Sequence, residues 1–285
     1  MRPNLPSLLT LFLVAASAPA SAQEKPYFVT YDHYLEERGN LEIAVATTSG
    51  FPKGGHKGYF APWLELEYGL TGWWTTEFYL EGVMATHEGS SLSSFTGWRW
   101  ENRFRPLATE HAINPVVYVE FENITEASRI QKEIVGAGAL FEEPISELRE
   151  EHVREIEAKL ILSTAVRGWN LSENIIVEKN LSEDEGFEFG YSVGVSRSLG
   201  GLASGSMCRF CRENFVAGVE AYGGLGSSED PGFQQTRHFV APVVSWRLTD
   251  RMAVKASLGL GMTAASERFL LRFGWAYEFA PGRPR

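Results

Sequence analysis

The chain has 285 residues, of which 13% are aromatic and 28 are glycine, and its formal net charge is −10. A negative balance of this size argues against nucleic acid as a partner, because phosphate binding needs positive charge. After residue 22 no apolar run approaches 18 residues, so no transmembrane helix is predicted. Two cysteines are too few for a disulfide scaffold.

The first 22 residues have the pattern of a secretory signal peptide. A basic start at Arg2 is followed by an apolar run over 8–16 and by small residues at 20–22. This pattern predicts cleavage between Ala22 and Gln23. A membrane anchor is the alternative, but the apolar run is too short to span a bilayer.

The rest of the chain is organised as short segments in which apolar and polar residues alternate, separated by turn residues. Such alternation predicts strands with one apolar face. Twelve segments are predicted, at about 40–48, 60–69, 73–84, 94–105, 115–123, 152–164, 173–181, 186–197, 214–223, 237–248, 251–262 and 268–279. A helix competes over 145–162, where helix-forming residues are frequent, and the strand is preferred from Arg154 onward.

The last segment is the most regular. Its alternate positions are large and apolar, namely Phe269, Leu271, Phe273, Trp275, Tyr277 and Phe279. A tilted strand of about 11 residues is long enough to cross a bilayer. The residues Arg272, Gly274, Tyr277 and Phe279 resemble the C-terminal assembly signal of bacterial outer-membrane β-barrels, although six residues follow Phe279 where the aromatic residue usually ends the chain.

The wider chain resembles the porin-like, transporter class of these outer-membrane proteins. The resemblance implies an all-β fold, a closed antiparallel transmembrane up-and-down barrel of about twelve strands. It also implies an outer-membrane location, with membrane lipid and the barrel assembly machinery as partners. The expected domains are a signal peptide (1–22), a periplasmic lead-in or plug (23–39), the barrel (40–279) and a tail (280–285).

Charged residues occupy the faces opposite the apolar ones. In the segment at 94–105, Trp98, Trp100 and Phe104 alternate with four charged residues, which suits lipid outside and water inside. A soluble sandwich with an aromatic core remains an alternative, since periodicity alone does not separate the two. The predicted lumen-lining residues are Glu65, Glu67, Glu77, Glu81, Arg99, Glu101, Arg103, Arg105, Glu120 and Glu122. The sixth segment adds Glu155, Glu157 and Lys159 to the same inward face.

Two interpretations of this lining stay open: a polar pore, or a lumen closed by Glu–Arg pairs. Barrels of about eight strands fill with side chains and those of about 16–18 leave a channel, so twelve lies between them. Amphipathic rings favour membrane interfaces. An interfacial position is therefore predicted for six tryptophans: Trp63, Trp73, Trp74, Trp98, Trp100 and Trp275. The alternative is that they form the core of a soluble sandwich.

The connections provide a further prediction. With a periplasmic N-terminus, connections after even-numbered strands should be short. The connection at 198–213 is the exception, and it contains Cys208 and Cys211. Haem attachment would need a histidine after Cys211, where Arg212 stands. A zinc site would need a second pair of ligands, and a thioredoxin-like redox site would need its own fold around it. A local disulfide, which an oxidising periplasm permits, is the preferred interpretation.

No enzyme, cofactor or metal site is predicted. None of the six histidines stands beside a serine in a recognisable pattern, and no Gly-x-Ser-x-Gly motif occurs. His238 and Ser245 would lie on opposite faces of one strand. The leading hypothesis is a passive channel for small polar or ionic solutes. The alternatives are a non-conducting structural or surface-binding barrel using loops 49–59, 124–150 and 224–236, and an outer-membrane lipid hydrolase.

Overall fold

The computed structural model describes residues 26–54, 58–87, 90–125, 128, 152–202 and 214–280. Twelve strands dominate these residues, and a short 3₁₀ helix (Leu199–Leu202) follows the eighth. The strands are β1 (Leu41–Phe51), β2 (Tyr59–Thr71), β3 (Trp74–His87), β4 (Ser90–Phe104), β5 (Asn114–Thr125), β6 (His152–Val166), β7 (Trp169–Asn180), β8 (Phe187–Ser198), β9 (Phe215–Ser227), β10 (His238–Thr249), β11 (Met252–Gly261) and β12 (Phe269–Phe279).

All twelve strands belong to one closed barrel. Each strand pairs antiparallel with its neighbours in sequence, and β1 pairs with β12. This closing ladder runs without interruption from Leu41 opposite Phe279 to Phe51 opposite Phe269. Closure satisfies the backbone hydrogen bonds of both terminal strands and leaves no exposed sheet edge. The predicted fold class and strand number are therefore confirmed.

The predicted strand bounds differ from the observed ones by up to four residues, as at β7, which begins at Trp169 rather than near residue 173. The cause is the turn before it. Arg167 (φ 51°) and Gly168 (φ 80°) both have positive φ, as required in a two-residue type I′ hairpin. This turn matches the twist of the flanking strands, so pairing continues to the last residue of β6. The helix that competed with a strand over 145–162 is absent from 152 onward, where β6 is the strand that the sequence favoured.

The two faces of the barrel have opposite character. On β12, Leu271 and Phe273 are 48% and 50% exposed, whereas Arg272 and Gly274 point inward and are buried. The same sorting recurs around the barrel, with exposed Val119, Ile175 and Val193 outside. A water-soluble sandwich would bury its apolar side chains. The reversed arrangement suits a barrel with lipid outside and a polar lumen.

The connections differ between the two ends of the barrel. At the end where β1 begins, three of the links between strands are two-residue turns, at 72–73, 167–168 and 250–251. The link between β8 and β9 is the long exception that the sequence predicted, and most of it lies outside the described residues. In the part of the chain that the structure describes, no helix has the length and apolarity needed to cross a membrane.

A charged residue on the outer face should destabilise the barrel in a bilayer. Val193 lies near the middle of β8 and faces outward. Val193→Arg is expected to lower the free energy of unfolding by about 2–4 kcal/mol, because the guanidinium must enter hydrocarbon. Urea unfolding of the refolded protein in phospholipid vesicles measures this value. Val193→Leu is the control, and an equal loss in both variants would argue against lipid at this face.

Candidate functional site

The predicted lumen-lining residues share the inner wall of β2 to β5. Those that are buried there are Glu67, Glu77, Glu81, Glu101, Arg103, Glu120 and Glu122. Glu65 and Arg99 also point inward and are partly exposed to the lumen. Arg105 differs, because it follows the last residue of β4. It lies at the rim and donates a hydrogen bond to the Gly72 carbonyl at 3.4 Å.

Arg103 is the centre of the first ionic cluster. Its Nη2 lies 2.9 Å from Glu77 Oε2 and also contacts Glu67, and its Nε lies 2.7 Å from Glu101 Oε1. The side chain is fully buried. A guanidinium carries five N–H donors and cannot lose its charge, so it can hold several carboxylates together. Arg103 thereby neutralises part of a strongly acidic wall.

Arg99 and Lys159 continue this compensation along the wall. Arg99 Nε lies 2.8 Å from Glu81 Oε1, and its Nη1 lies 2.9 Å from Glu120 Oε1. Lys159 Nζ lies 2.7 Å from Glu157 Oε1. Aromatic rings cover both cations, with Tyr79 4.3 Å from Arg99 and Tyr118 4.1 Å from Lys159. The positive groups are thus held in place by carboxylates and aromatic rings.

The cross-strand register aligns glutamates from nine adjacent strands, β12 and β1 to β8. Each member lies directly opposite the next in the ladder, and together they form what we call the glutamate row: Glu278, Glu42, Glu67, Glu77, Glu101, Glu120, Glu157, Glu178 and Glu188. Like charges directly opposite each other are destabilising. The ionic clusters of Arg103, Arg99 and Lys159 bind five of the nine.

The glutamate row climbs the wall from one end of the barrel to the other. Glu278 and Glu42 are next to the barrel end where β1 begins. Glu120 is at mid-strand, and Glu188 is the second residue of β8, at the opposite end. The climb follows from barrel geometry, because tilted strands with staggered pairing turn each row of partners into a helical path.

The sequence alone did not identify the row. Glu42, Glu178, Glu188 and Glu278 were absent from the predicted lining, although each alternates correctly within its own strand. Alternation within a strand assigns a residue to a face, but only the register says which residues of two strands are opposite. The signal in the sequence that could have identified the row is the recurrence of an inward glutamate on successive strands.

The lumen also contains part of the chain itself, residues 26–39, which we call the inner segment. The backbone N–H groups of Phe28, Val29 and Thr30 donate to the Glu220 carboxylate at 3.3, 3.0 and 3.0 Å. Tyr31 exchanges backbone hydrogen bonds with the Asn174 amide at 2.7 and 2.9 Å. These contacts come from β9 and β7, so the segment is fixed to the barrel wall through polar side chains.

Two glycines leave space for the inner segment. A Cβ atom at Gly194 would lie 2.7 Å from the Tyr27 ring. At Gly274 it would lie 3.0 Å from the Lys255 side chain and 3.4 Å from Phe28. Glycine within a strand often marks the close approach of another backbone or ligand. Gly194 therefore shapes the wall to fit Tyr27, whereas a Cβ at Gly274 would crowd Lys255 and only touch Phe28.

Tyr31 brings the inner segment against the glutamate row. Its hydroxyl donates to Glu101 Oε2 at 2.9 Å. Its ring packs edge-on against Tyr118 at 5.2 Å and contacts the apolar patch that includes Val116 and Ile161. One side chain thus joins an apolar patch of β5 and β6 to the ionic wall, at the level of Glu101.

Glu36 is a carboxyl group with an unusual environment at the end of the inner segment. Burial raises its pKa to about 7, with further contributions from the negative charges of Glu67 and Glu278. The segment turns into β1 just beyond it, where Asn40 Nδ2 donates to Glu278 Oε1 at 2.5 Å. The neutral form of Glu36 is therefore favoured when the segment is in place.

His33 forms an arrangement that the sequence did not reveal. Its Nδ1 makes a short hydrogen bond with Ser163 Oγ, and its Nε2 lies 3.0 Å from Glu110 Oε1. Serine, histidine and glutamate in this order resemble the parts of a hydrolytic triad. However, Ser163 Oγ also accepts the backbone N–H of His33 at 2.9 Å, and both side chains are buried. The contact fastens the inner segment to β6.

Other predicted residues are placed as follows. His238 and Ser245 lie on opposite faces of β10, and His238 is covered by the ring of Phe233.

In the segment resembling the assembly signal, Arg272 and Gly274 face inward and Tyr277 and Phe279 face outward. The predicted cleavage site at Ala22 and Gln23, and Cys208 and Cys211, lie outside the described residues.

One tryptophan assignment was wrong. Trp63 faces the lumen, where its Nε1 donates to Glu65 Oε2 at 3.4 Å. It is opposite the buried inner-wall residues Ala46 and Glu81. Because Trp63 is two residues from Glu65, strand geometry places both on the same face. Trp74 does face outward at the end of the barrel, stacked on Phe104 at 5.6 Å.

Removing the charge of Arg103 should strongly destabilise the barrel. Arg103→Met leaves three buried carboxylates without their shared cation, and the expected loss is about 3–5 kcal/mol. The matched control is Arg105→Met on the same strand, where a rim residue should cost less than about 1 kcal/mol. Urea unfolding of the refolded protein measures both. Equal losses would contradict the central position assigned to Arg103.

Docking of the inner segment should weaken as the pH rises. The pKa of Glu36 is about 7 in the docked state and near its ordinary value of 4.5 when free. The neutral carboxyl therefore stabilises docking fully below pH 4.5, and this contribution disappears as pH passes through 7. Hydrogen-exchange protection factors over 26–39 should fall across this range. Glu36→Gln should remove the dependence, whereas Glu37→Gln should retain it.

The fold resembles those of solved outer-membrane proteins. An outer-membrane channel from Pseudomonas putida F1 aligns with a TM-score of 0.60 at 10% identity, covering 89% of this chain and 100% of that one. The NanC porin aligns with a TM-score of 0.44 at 9% identity, covering 83% of this chain and 98% of that one. LpxR from Salmonella typhimurium aligns with a TM-score of 0.40 at 12% identity, covering 84% of this chain and 99% of that one.

No protein-family model matches the chain, and no curated protein matches it. At 10% identity and a TM-score of 0.60, the channel from Pseudomonas putida F1 shares the fold alone with this chain. The closed ladder, the apolar outer face and the charged lumen agree with that comparison. The chain has the fold of the outer-membrane β-barrel proteins, built from twelve strands.

Proposed function

We propose that this protein is an outer-membrane channel through which small cationic or polar solutes diffuse. The observation that carries the proposal is the glutamate row. It lines the lumen with carboxylates from one end of the barrel to the other, from Glu278 to Glu188. Rings and ladders of acidic side chains favour cations in a pore, because they replace part of the ion's hydration energy.

Stability alone does not account for the row. Directly opposed like charges are costly in a sheet. Buried carboxylates carry a further desolvation penalty unless they are paired. Positive side chains on the inner faces of the strands are fewer than the glutamates: Arg99, Arg103, Lys159, Arg247, Lys255 and Arg272. An excess of negative charge in the lumen is therefore available to attract cations.

The proposed location is the outer membrane. The predicted signal peptide would export the chain, and the apolar outer face would contact lipid. Outward aromatic pairs stand at the end where β1 begins, including Phe215 with Trp246 at 5.6 Å and Tyr277 with Phe279 at 4.6 Å. Such rings favour the headgroup level of a bilayer. The segment with Arg272 and Gly274 would be presented to the barrel assembly machinery.

A non-conducting barrel is the second candidate, and the inner segment favours it. Residues 26–39 cross the lumen and contact β4, β6, β7 and β9 through Glu101, Ser163, Asn174 and Glu220. A segment held by this many hydrogen bonds would reduce or block flow. The two candidates therefore differ in one property, which is whether ions pass when the segment is docked or only when it is removed.

Single-channel recording distinguishes the candidates. The mature protein, a variant lacking 26–39 and Gly194→Leu are refolded and inserted into planar bilayers. Leucine at 194 would occupy the position of the Tyr27 ring, so both variants should displace the segment. We expect their conductance to exceed that of the mature protein by at least about twofold, with cations preferred because the lining is acidic.

The control is Val193→Leu, the neighbouring residue of β8 that faces outward. It should conduct as the mature protein does. Folded barrels that fail to conduct in all forms would overturn the channel proposal and leave the structural barrel. An anion preference in the open variants would instead contradict the function assigned to the glutamate row.

A further inference from the structure

Three inward glutamates of β5 and β6 converge at the sixth and seventh members of the glutamate row. Glu120 and Glu122 are two residues apart on β5, and Glu157 lies opposite Glu120 on β6. One carboxylate oxygen from each lies within 4.8 Å of the others. The three residues are 0%, 2% and 7% exposed. This trio is more deeply buried than the acidic group formed by Glu42, Glu65 and Glu67.

Two members of the trio are held by protein groups. Glu120 accepts from Arg99 Nη1 at 2.9 Å and from the Tyr118 hydroxyl. Glu157 pairs with Lys159 Nζ at 2.7 Å. The two carboxylates are therefore oriented before any ligand arrives. Such fixed carboxylates are suitable metal ligands, since partners behind a ligand orient it.

Glu122 is the member without such support. Among the residues that the structure describes, its Oε2 is buried and has no hydrogen-bond partner. A buried carboxylate oxygen without a partner is costly and calls for a partner such as an ion. Glu122 belongs to the same trio as the two fixed carboxylates. The acidic cluster and the unpaired oxygen are separate observations, and both indicate a cation.

We propose that Glu120, Glu122 and Glu157 bind a calcium ion. Carboxylate oxygens are hard ligands, and Ca²⁺ takes oxygen ligands at about 2.3–2.6 Å, so two of them lie at most about 4.6–5.2 Å apart. The spacing of the trio falls within that limit. Mg²⁺ needs about 2.0–2.1 Å in near-octahedral geometry and releases water reluctantly, so it fits this buried site less well.

A bound Ca²⁺ would have two effects. It would join the inner faces of β5 and β6, and it would neutralise negative charge beside Glu120 and Glu157 of the glutamate row. The site adjoins the inner segment at Tyr31, whose ring packs on Tyr118 and lies 4.9 Å from Lys159 Nζ. Calcium binding does not rest on the proposed channel, because an open and a closed barrel could both hold the ion.

The experiment is equilibrium dialysis with radioactive calcium. The mature chain is refolded in a zwitterionic detergent without acidic lipid, so that surface phosphates cannot bind the ion, and is treated with EDTA before dialysis. We expect one saturable Ca²⁺ per folded chain, with Mg²⁺ competing only at higher concentration. Glu122→Gln should weaken binding by at least about tenfold, since ligand charge tunes calcium affinity.

The matched control is Glu65→Gln, which removes the same charge from the inner wall of β2 and leaves the trio intact. It should alter binding by less than about twofold. Heat-modifiable gel mobility verifies that each variant is folded. Should Glu122→Gln fail to fold, Glu122→Asp keeps the charge, withdraws the carboxylate by one methylene and should also weaken binding.

Several outcomes would overturn the proposal. The folded chain would bind no saturable Ca²⁺, or Glu122→Gln would bind as tightly as the unaltered chain. Loss of binding in Glu65→Gln alone would place the ion in the group formed by Glu42, Glu65 and Glu67. Equal affinity for Mg²⁺ and Ca²⁺ would contradict the assignment of calcium. None of these results depends on whether the barrel conducts.

Discussion

The closing ladder between β1 and β12 is the constraint on which the rest of the structure depends. Its hydrogen bonds run from Leu41 opposite Phe279 to Phe51 opposite Phe269, so neither terminal strand keeps a free edge. In a bilayer such an edge would leave backbone groups without partners. Closure also separates the residues of every strand into an outer and an inner set. The apolar surface and the charged lumen both follow from it.

A closed barrel of twelve strands encloses space that must be occupied by water, side chains or another part of the chain. Here much of the occupancy comes from the inner segment and from ionic clusters on one side of the wall. Arg103 holds three glutamates, and Tyr31 of the segment contacts one of the same three, Glu101. Segment and wall are thereby coupled. A change that disturbs the ionic wall should also affect docking, because the two share partners.

Much of the fold could be predicted from the sequence, since alternation alone assigns faces to residues. The inward positions of Glu101 and Arg103 and the outward positions of Leu271 and Phe273 follow from it directly. The site was less predictable. The nine aligned glutamates depend on pairing between strands, and a shift of one residue in any pair would break the row. Contacts across the lumen, such as His33 with Ser163, join residues that are 130 positions apart.

The sequence by itself determined the number of strands, their approximate bounds and the character of their faces, because each is encoded in a period of two over a few residues. It did not place the tight turn at Arg167 and Gly168, whose positive φ angles let β7 begin at Trp169 instead of near residue 173. Only the tertiary structure decided which glutamates are opposite one another, where the segment of residues 26–39 lies, and that Glu120, Glu122 and Glu157 converge. These features depend on strand stagger and on contacts distant in sequence, and no local pattern contains that information.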